Sequence, residues 1–233
     1  MPIASPRETF DRALQKLLDQ VLVLGSMVEQ AVQSALTALK QRDINTSRQI
    51  YAADLRVNEK RYQIETETIA LIATQQPMAR DVRFLAAILE IITELERIGD
   101  YAKGISKINL LIDDETIAPD ILADLQRMAD LGLGMLRRSL DAFVAQDAAT
   151  ARQIPLEDDQ VDHLYNKIYR SLMDEMACTP ASIDRANHLM WAAHNLERMA
   201  DRVTNICERI VYVATGEMKE LDTSDDEKRG LSE

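Results

Sequence analysis

The stretch LERIGD at positions 95–100 returns as LERMAD at positions 196–201. Each copy sets a glutamate four residues before an aspartate, Glu96 with Asp100 and Glu197 with Asp201, inside a run whose apolar residues recur at helical spacing. The two glutamates stand 101 residues apart in a chain of 233, so the sequence predicts two related units of about a hundred residues each.

Outward from these motifs the halves align at further anchors in the same order. Asp43, Thr46, Arg48, Gln49 and Ile50 match Asp147, Thr150, Arg152, Gln153 and Ile154. Asp54, Val57 and Asn58 match Asp158, Val161 and Asp162, and Pro77 matches Pro180. Periodicity of 3.6 residues predicts six long helices, over 6–40, 43–74, 77–112, 120–146, 147–177 and 180–216. Asp43 is read as an N-cap, Pro155 as a kink in the fifth helix and Gly216 as a C-cap. The expected organisation is a three-helix unit over 6–112, a linker over 113–119, a second three-helix unit over 120–216 and an acidic, disordered tail over 217–233. The fold class is all-α, and short connections imply antiparallel packing within each three-helix bundle.

Composition agrees and excludes much else. Only 7 Gly, 6 Pro and 4% aromatic residues accompany 46% hydrophobic residues, a helix-former usage with few strand-favouring types. With 27 basic against 39 acidic side chains the net charge is −12, which argues against nucleic acid as a partner. The N-terminal residues have no basic segment leading into an apolar core, and no uncharged apolar window reaches 18 residues, so neither a secretory signal nor a membrane span is expected. Cys178 and Cys207 share no metal or redox spacing, as in a reducing, cytoplasmic compartment. No Gly-rich phosphate loop, G-x-S-x-G or Cys-x-x-Cys is present, so nucleotide hydrolysis and acyl transfer lack a motif.

The paired acids carry the chemistry. Residues i and i+4 share a helix face at roughly 6 Å. Glu96 and Asp100 continue a ridge through Ile88 and Ile92, and Glu197 and Asp201 continue one through Leu189 and Ala193, so both pairs sit at or beside packed surface. Burying unpaired carboxylates costs several kcal/mol each, which calls for a cation, an arginine or protonation. The second helix of each unit offers a facing pair, Asp54 with Asn58 and Asp158 with Asp162. Two such pairs could surround a cation with oxygen ligands, a set better suited to Mg²⁺, Ca²⁺, Mn²⁺ or iron than to zinc. The second set has four acids and the first has three, so tighter binding is expected in the second half. Equally, Arg56, Arg97 and Arg198 could neutralise the acids as salt bridges with no metal at all. His194, three residues before Glu197, is a candidate nitrogen ligand or an ordinary partly exposed histidine, and Trp191 a packing anchor or a contact residue.

Taken together, the duplicated LERIGD and LERMAD, the Asp54-x-x-Val57-Asn58 element and the stretch QQPMARDVR at 75–83 make the chain resemble the PhoU family from about 10 to 216. The resemblance implies two three-helix bundles related by pseudo-two-fold symmetry. It implies a non-catalytic negative regulator of phosphate uptake and the phosphate-starvation response. The partners it implies are the ATPase subunit of a phosphate ABC transporter, a phosphate-sensing histidine kinase and a second copy of the chain. The protein would be cytoplasmic and peripheral to the inner membrane through those partners. It also implies divalent or multinuclear metal, iron, Mn, Mg or Zn, at Glu96, Asp100, Asp54 and Asn58 and at Glu197, Asp201, Asp158 and Asp162, with Asn58 departing from the acidic pattern. Other readings are a partner of a sodium-phosphate symporter and a carboxylate-bridged metalloenzyme; the Glu-x-x-His motif of di-iron bundles does not occur.

Overall fold

A computed structural model describes residues 6–112 and 116–221. Seven α-helices run in order: α1 (Pro6–Gln41), α2 (Ile44–Gln75), α3 (Ala79–Leu111), α4 (Pro119–Ala145), α5 (Ala148–Gln153), α6 (Asp158–Cys178) and α7 (Ile183–Thr215). No strand occurs among the described residues.

The aligned anchors of the two halves build the same local structures. Asp43 caps α2 by accepting the Asn45 and Thr46 amide hydrogens at 3.0 Å, while the Thr46 hydroxyl donates to its other oxygen at 2.6 Å. Asp147 caps α5 identically, accepting from Ala149 at 2.9 Å and Thr150 at 3.1 Å, with the Thr150 hydroxyl donating at 2.6 Å. Arg42 and Gln146, which close the preceding helices, both adopt left-handed backbone at φ 56° and 53°. Gly216 ends α7 at φ 80°, where a residue without Cβ adopts the conformation freely.

The fifth predicted helix is not kinked but divided. Pro155 has no amide hydrogen and its ring clashes with the carbonyl four residues back. The chain answers with a 3₁₀ turn, Ile154–Glu157, between α5 and α6. A second 3₁₀ turn, Pro180–Ser182, leads into α7. Of the linker, residues 113–115 lie outside the described residues, and 116–118 lead into α4. Of the tail read as disordered, 222–233 lie outside them too, whereas Leu221 packs on the core and its amide donates to Glu208 Oε1 at 3.0 Å.

Helices α1–α3 form one bundle and α4–α7 the other, and α3 against α7 is the most extensive helix pair. The pair is antiparallel: along α3 from Glu94 through Tyr101 to Gly104, the neighbours on α7 step back from Arg202 through Arg198 to Asn195. Helix α3 is apolar on more than one side, with Phe84, Leu85, Ala87, Ile88, Ile91 and Ile92 all buried, as befits a helix enclosed by neighbours. Helix α1 has the length and, at a mean hydropathy of 1.2 over its most apolar window, the composition of a membrane span, yet Val21, Leu24, Val28 and Val32 line the core. Both bundles share one continuous hydrophobic core.

Candidate functional site

The acids occupy corresponding places in the two bundles, between α2 and α3 and between α6 and α7. In the first, Asp54 lies on the buried side of α2, with only 5% of its side chain exposed. Glu96 and Asp100 reach the same region from α3, close enough that Asp54 repels the ionised form of each. Burial raises both pKa values above the ordinary carboxylate range. For Glu96 the next cause is Asp100; for Asp100 it is Asp54.

The compensating charge is a residue that sequence reasoning missed. Lys103 Nζ lies 2.6 Å from Asp54 Oδ2. Asn58 Nδ2 donates to the same oxygen at 3.3 Å, and the ammonium also lies over the Tyr51 ring at 5.3 Å. The hydrogen bond to Asp54 holds the Lys103 pKa above its ordinary value. Lys103 follows Glu96 by seven residues and Asp100 by three, which places all three on one helix face. The arginines expected to neutralise the site contribute less: Arg97 is 3.9 Å from Glu96, and Arg56 is exposed on the rim of a groove of about 360 Å³ between α1 and α2.

In the second cluster Thr204 stands at the position that Lys103 holds in the first. Glu197 on α7 is raised to about 7, by burial first and then by repulsion from Asp201 and Asp162, against the weaker pull of Arg198. Its Oε2 is buried and accepts no hydrogen bond among the described residues, although His194 Nδ1 lies 3.3 Å away. Burial first and then Arg198 lower the His194 pKa, against the opposing pull of Asp201. Arg198 itself stacks over Tyr101 of the first bundle, 5.6 Å from the ring centroid. Tyr165 on α6 completes the wall, its pKa raised by burial and by Glu197. The structure thus brings Glu197, Asp201 and Asp162 into mutual electrostatic range, with Asp158 in the first turn of α6 on the same i,i+4 face as Asp162. No three acidic, histidine or cysteine side chains converge as a ready-made metal cage among the described residues. Trp191 is a surface residue, 59% exposed.

Of the two clusters the second offers more to a cation, since Glu197 Oε2 is buried, makes no hydrogen bond among the described residues and lies within electrostatic range of Asp201 and Asp162. The first cluster fits one less well, because Asp54 Oδ2 already accepts from two nitrogens.

The duplication is matched by known proteins. The family model described as PhoU domain matches twice, over residues 21–108 and 125–210. The chain is a member of the PhoU family. The phosphate-specific transport system accessory protein PhoU homolog of Clostridium acetobutylicum is 33% identical over 220 residues, 94% of this chain and 99% of that protein. The homolog from Streptococcus pneumoniae serotype 4 is 35% identical over 215 residues, covering 92% of this chain and 99% of the relative. Among solved structures, the phosphate transport system regulatory protein PhoU from Streptococcus pneumoniae superposes with a TM-score of 0.84 at 33% identity, covering 90% of this chain and 99% of that one. PhoU from Pseudomonas aeruginosa does so at 0.83 and 29% identity, covering 89% and 100%. The tandem helical repeat of this chain is thus a PhoU fold.

Proposed function

We propose that the chain regulates phosphate transport as a helical adaptor without a chemical step of its own, restraining uptake and the phosphate-starvation response when phosphate is plentiful. The observation that carries the reading is near full-length similarity to proteins named as accessory to phosphate-specific transport, with both repeats matched. The partners are the ATPase subunit of a phosphate ABC transporter and a phosphate-sensing histidine kinase, which hold the protein at the inner face of the membrane. Long helices present broad surfaces for such docking, and a net charge of −12 favours basic patches on the partners. Self-association uses the outer face of α2, where Tyr51, Leu55, Tyr62 and Ile69 are exposed at helical spacing.

Asp158, Asp162, Glu197 and Asp201 hold a divalent ion in this reading. Such an ion would neutralise the carboxylates and tie α6 to α7, stiffening a docking surface. Deleting the gene and following secreted alkaline phosphatase in phosphate-rich medium tests the regulatory role. High constitutive output that this chain reverses is the expected result, and normal repression in the deletion strain would remove it.

A further inference from the structure

We infer that the groove between α1 and α2 is a binding site for a small amphipathic carboxylic acid, its apolar body seated between the two helices and its carboxylate on Arg56. The inference goes beyond the regulatory reading and depends neither on it nor on a metal ion. Small residues make the groove. It holds about 360 Å³, and Ala31, Ser34, Ala53 and Gly99 all border it. At the offset that relates Asp43 to Asp147 and Asp54 to Asp158, the second repeat has Met135, Arg138 and Glu157 in the first three places. At the offset of the two motifs it has Ala200 in the fourth. Each counterpart is larger.

The second repeat fills the corresponding space from its own sequence. Met135 is fully buried, and the Arg138 guanidinium donates to both Glu157 oxygens, at 2.7 and 2.5 Å. An apolar side chain and a carboxylate paired with an arginine thus occupy it. The groove that the second repeat does have, between α4 and α6, meets that space only at Leu131 and Gln160.

The first repeat lacks both the apolar filler and the acid, but it has a guanidinium at the mouth. Arg56, where the second repeat has Gln160, is exposed and makes no hydrogen bond or ion pair among the described residues. The nearby acids are taken: Asp54 by Lys103 at 2.6 Å and Glu29 by Arg137 at 2.5 Å. On a chain of net charge −12 this rim therefore presents an uncompensated positive charge. Met27, Ile50 and Val57 supply apolar wall, and Gln30 and Gln49 supply neutral hydrogen-bonding groups. Apolar walls with a few polar groups, in a volume of about 300–1,000 Å³, are the make-up of small-ligand sites. A carboxylate meets a guanidinium through two parallel hydrogen bonds, as Glu157 meets Arg138. One amphipathic acid would bring both parts that the first repeat is missing.

Decanoate is the probe, titrated calorimetrically into the full-length chain at neutral pH and below its micelle-forming concentration. One saturable site is expected, with a negative heat-capacity change from the buried apolar surface. Ala31→Met, which copies the filler of the second repeat, should abolish binding in a chain that still melts cooperatively. Arg56→Gln, which copies Gln160, should weaken binding by about tenfold through loss of the charge-assisted pair. No decanoate binding by the unaltered chain overturns the inference. So does binding that either substitution leaves unchanged, which marks decanoate as an adventitious additive only. Should Ala31→Met fail to fold, Arg56→Gln decides alone, since it alters an exposed side chain that holds no partner in place. The regulatory reading stands or falls separately, on the alkaline phosphatase output of the deletion strain.

Discussion

Helix α2 and its counterpart in the second repeat start from the same Asp-x-x-Thr cap and reach the same aspartate by different routes. In the first repeat the helix is unbroken from Ile44 to Gln75, and Asp54 lies in its interior. In the second, Pro155 stands where Tyr51 stands in the first, and the helix restarts at Asp158. A carboxylate in the first turn of a helix sits among amide hydrogens and the positive end of the helix dipole. One in the interior has neither. Asp54 is partnered by Lys103, whereas Asp158, in the first turn of α6, lies near the positive end of a helix dipole. The same acidic motif thus sits in a helix interior beside a lysine in one repeat and at a helix start in the other.

That contrast can be broken at several points. Lys103→Met strands Asp54 in a site with 5% exposure and should destabilise the chain by about 3 kcal/mol, because breaking a mostly buried ion pair leaves an uncompensated charge. Urea denaturation would show it, and adding Asp54→Asn to the same chain should recover most of the loss.

The opposite sign is expected in the second repeat. The folded-state pKa of Glu197 is about 7 against an ordinary 4.5, so the folded chain keeps a proton that the unfolded chain has released. This carboxylate consequently costs nothing below pH 4.5, destabilises progressively above it, and exerts its full penalty once pH passes about 7. In the metal-free chain Glu197→Gln should stabilise by about 2 kcal/mol at pH 8, and by nothing at pH 4. Thermal melts across that range would expose the difference.

Smaller effects belong to the seam between repeats. Glu94 Oε2 accepts from Arg202 at 3.5 Å and from Asn205 at 3.3 Å, both long, so Glu94→Ala should cost about 1 kcal/mol in equilibrium unfolding. Asn205 corresponds to Gly104 in the other repeat, where an added Cβ would lie 2.9 Å from Asn195 Nδ2. Gly104→Ala gains helix propensity and displaces the end of one side chain, so its net change should stay within about 0.5 kcal/mol.

Much of the fold could be read because its signals are local and repeated. The six helical stretches, the Asp43 cap and the Gly216 terminus follow from periodicity and single-residue chemistry. Pro155 was legible as a disturbance, but its size was not, since a kink and a restart differ only in how neighbouring packing accommodates the lost hydrogen bond. For the site, the acids were legible because they are duplicated. Lys103 was not, because a search for what the repeats share passes over a residue that only one of them has. Its signal was present in the heptad spacing from Glu96. Arg97 and Arg198 drew attention by adjacency to the glutamates, yet consecutive residues on a helix point about a quarter-turn apart, and Arg198 turns to Tyr101 instead.

The packing of α3 against α7 bears on what one chain can do that two copies of a single repeat cannot. A single three-helix unit would leave the face that α3 presents to α7, with Glu94 and Tyr101, uncovered. Two such units in one chain meet as a tethered pair, where separate units would depend on a concentration-dependent encounter. Identical chains must carry identical sites, so any substitution near the carboxylates would appear twice. One chain lifts that constraint, and Asn58 against Asp162, Lys103 against Thr204 and Tyr51 against Pro155 are differences that a pair of identical chains could not carry.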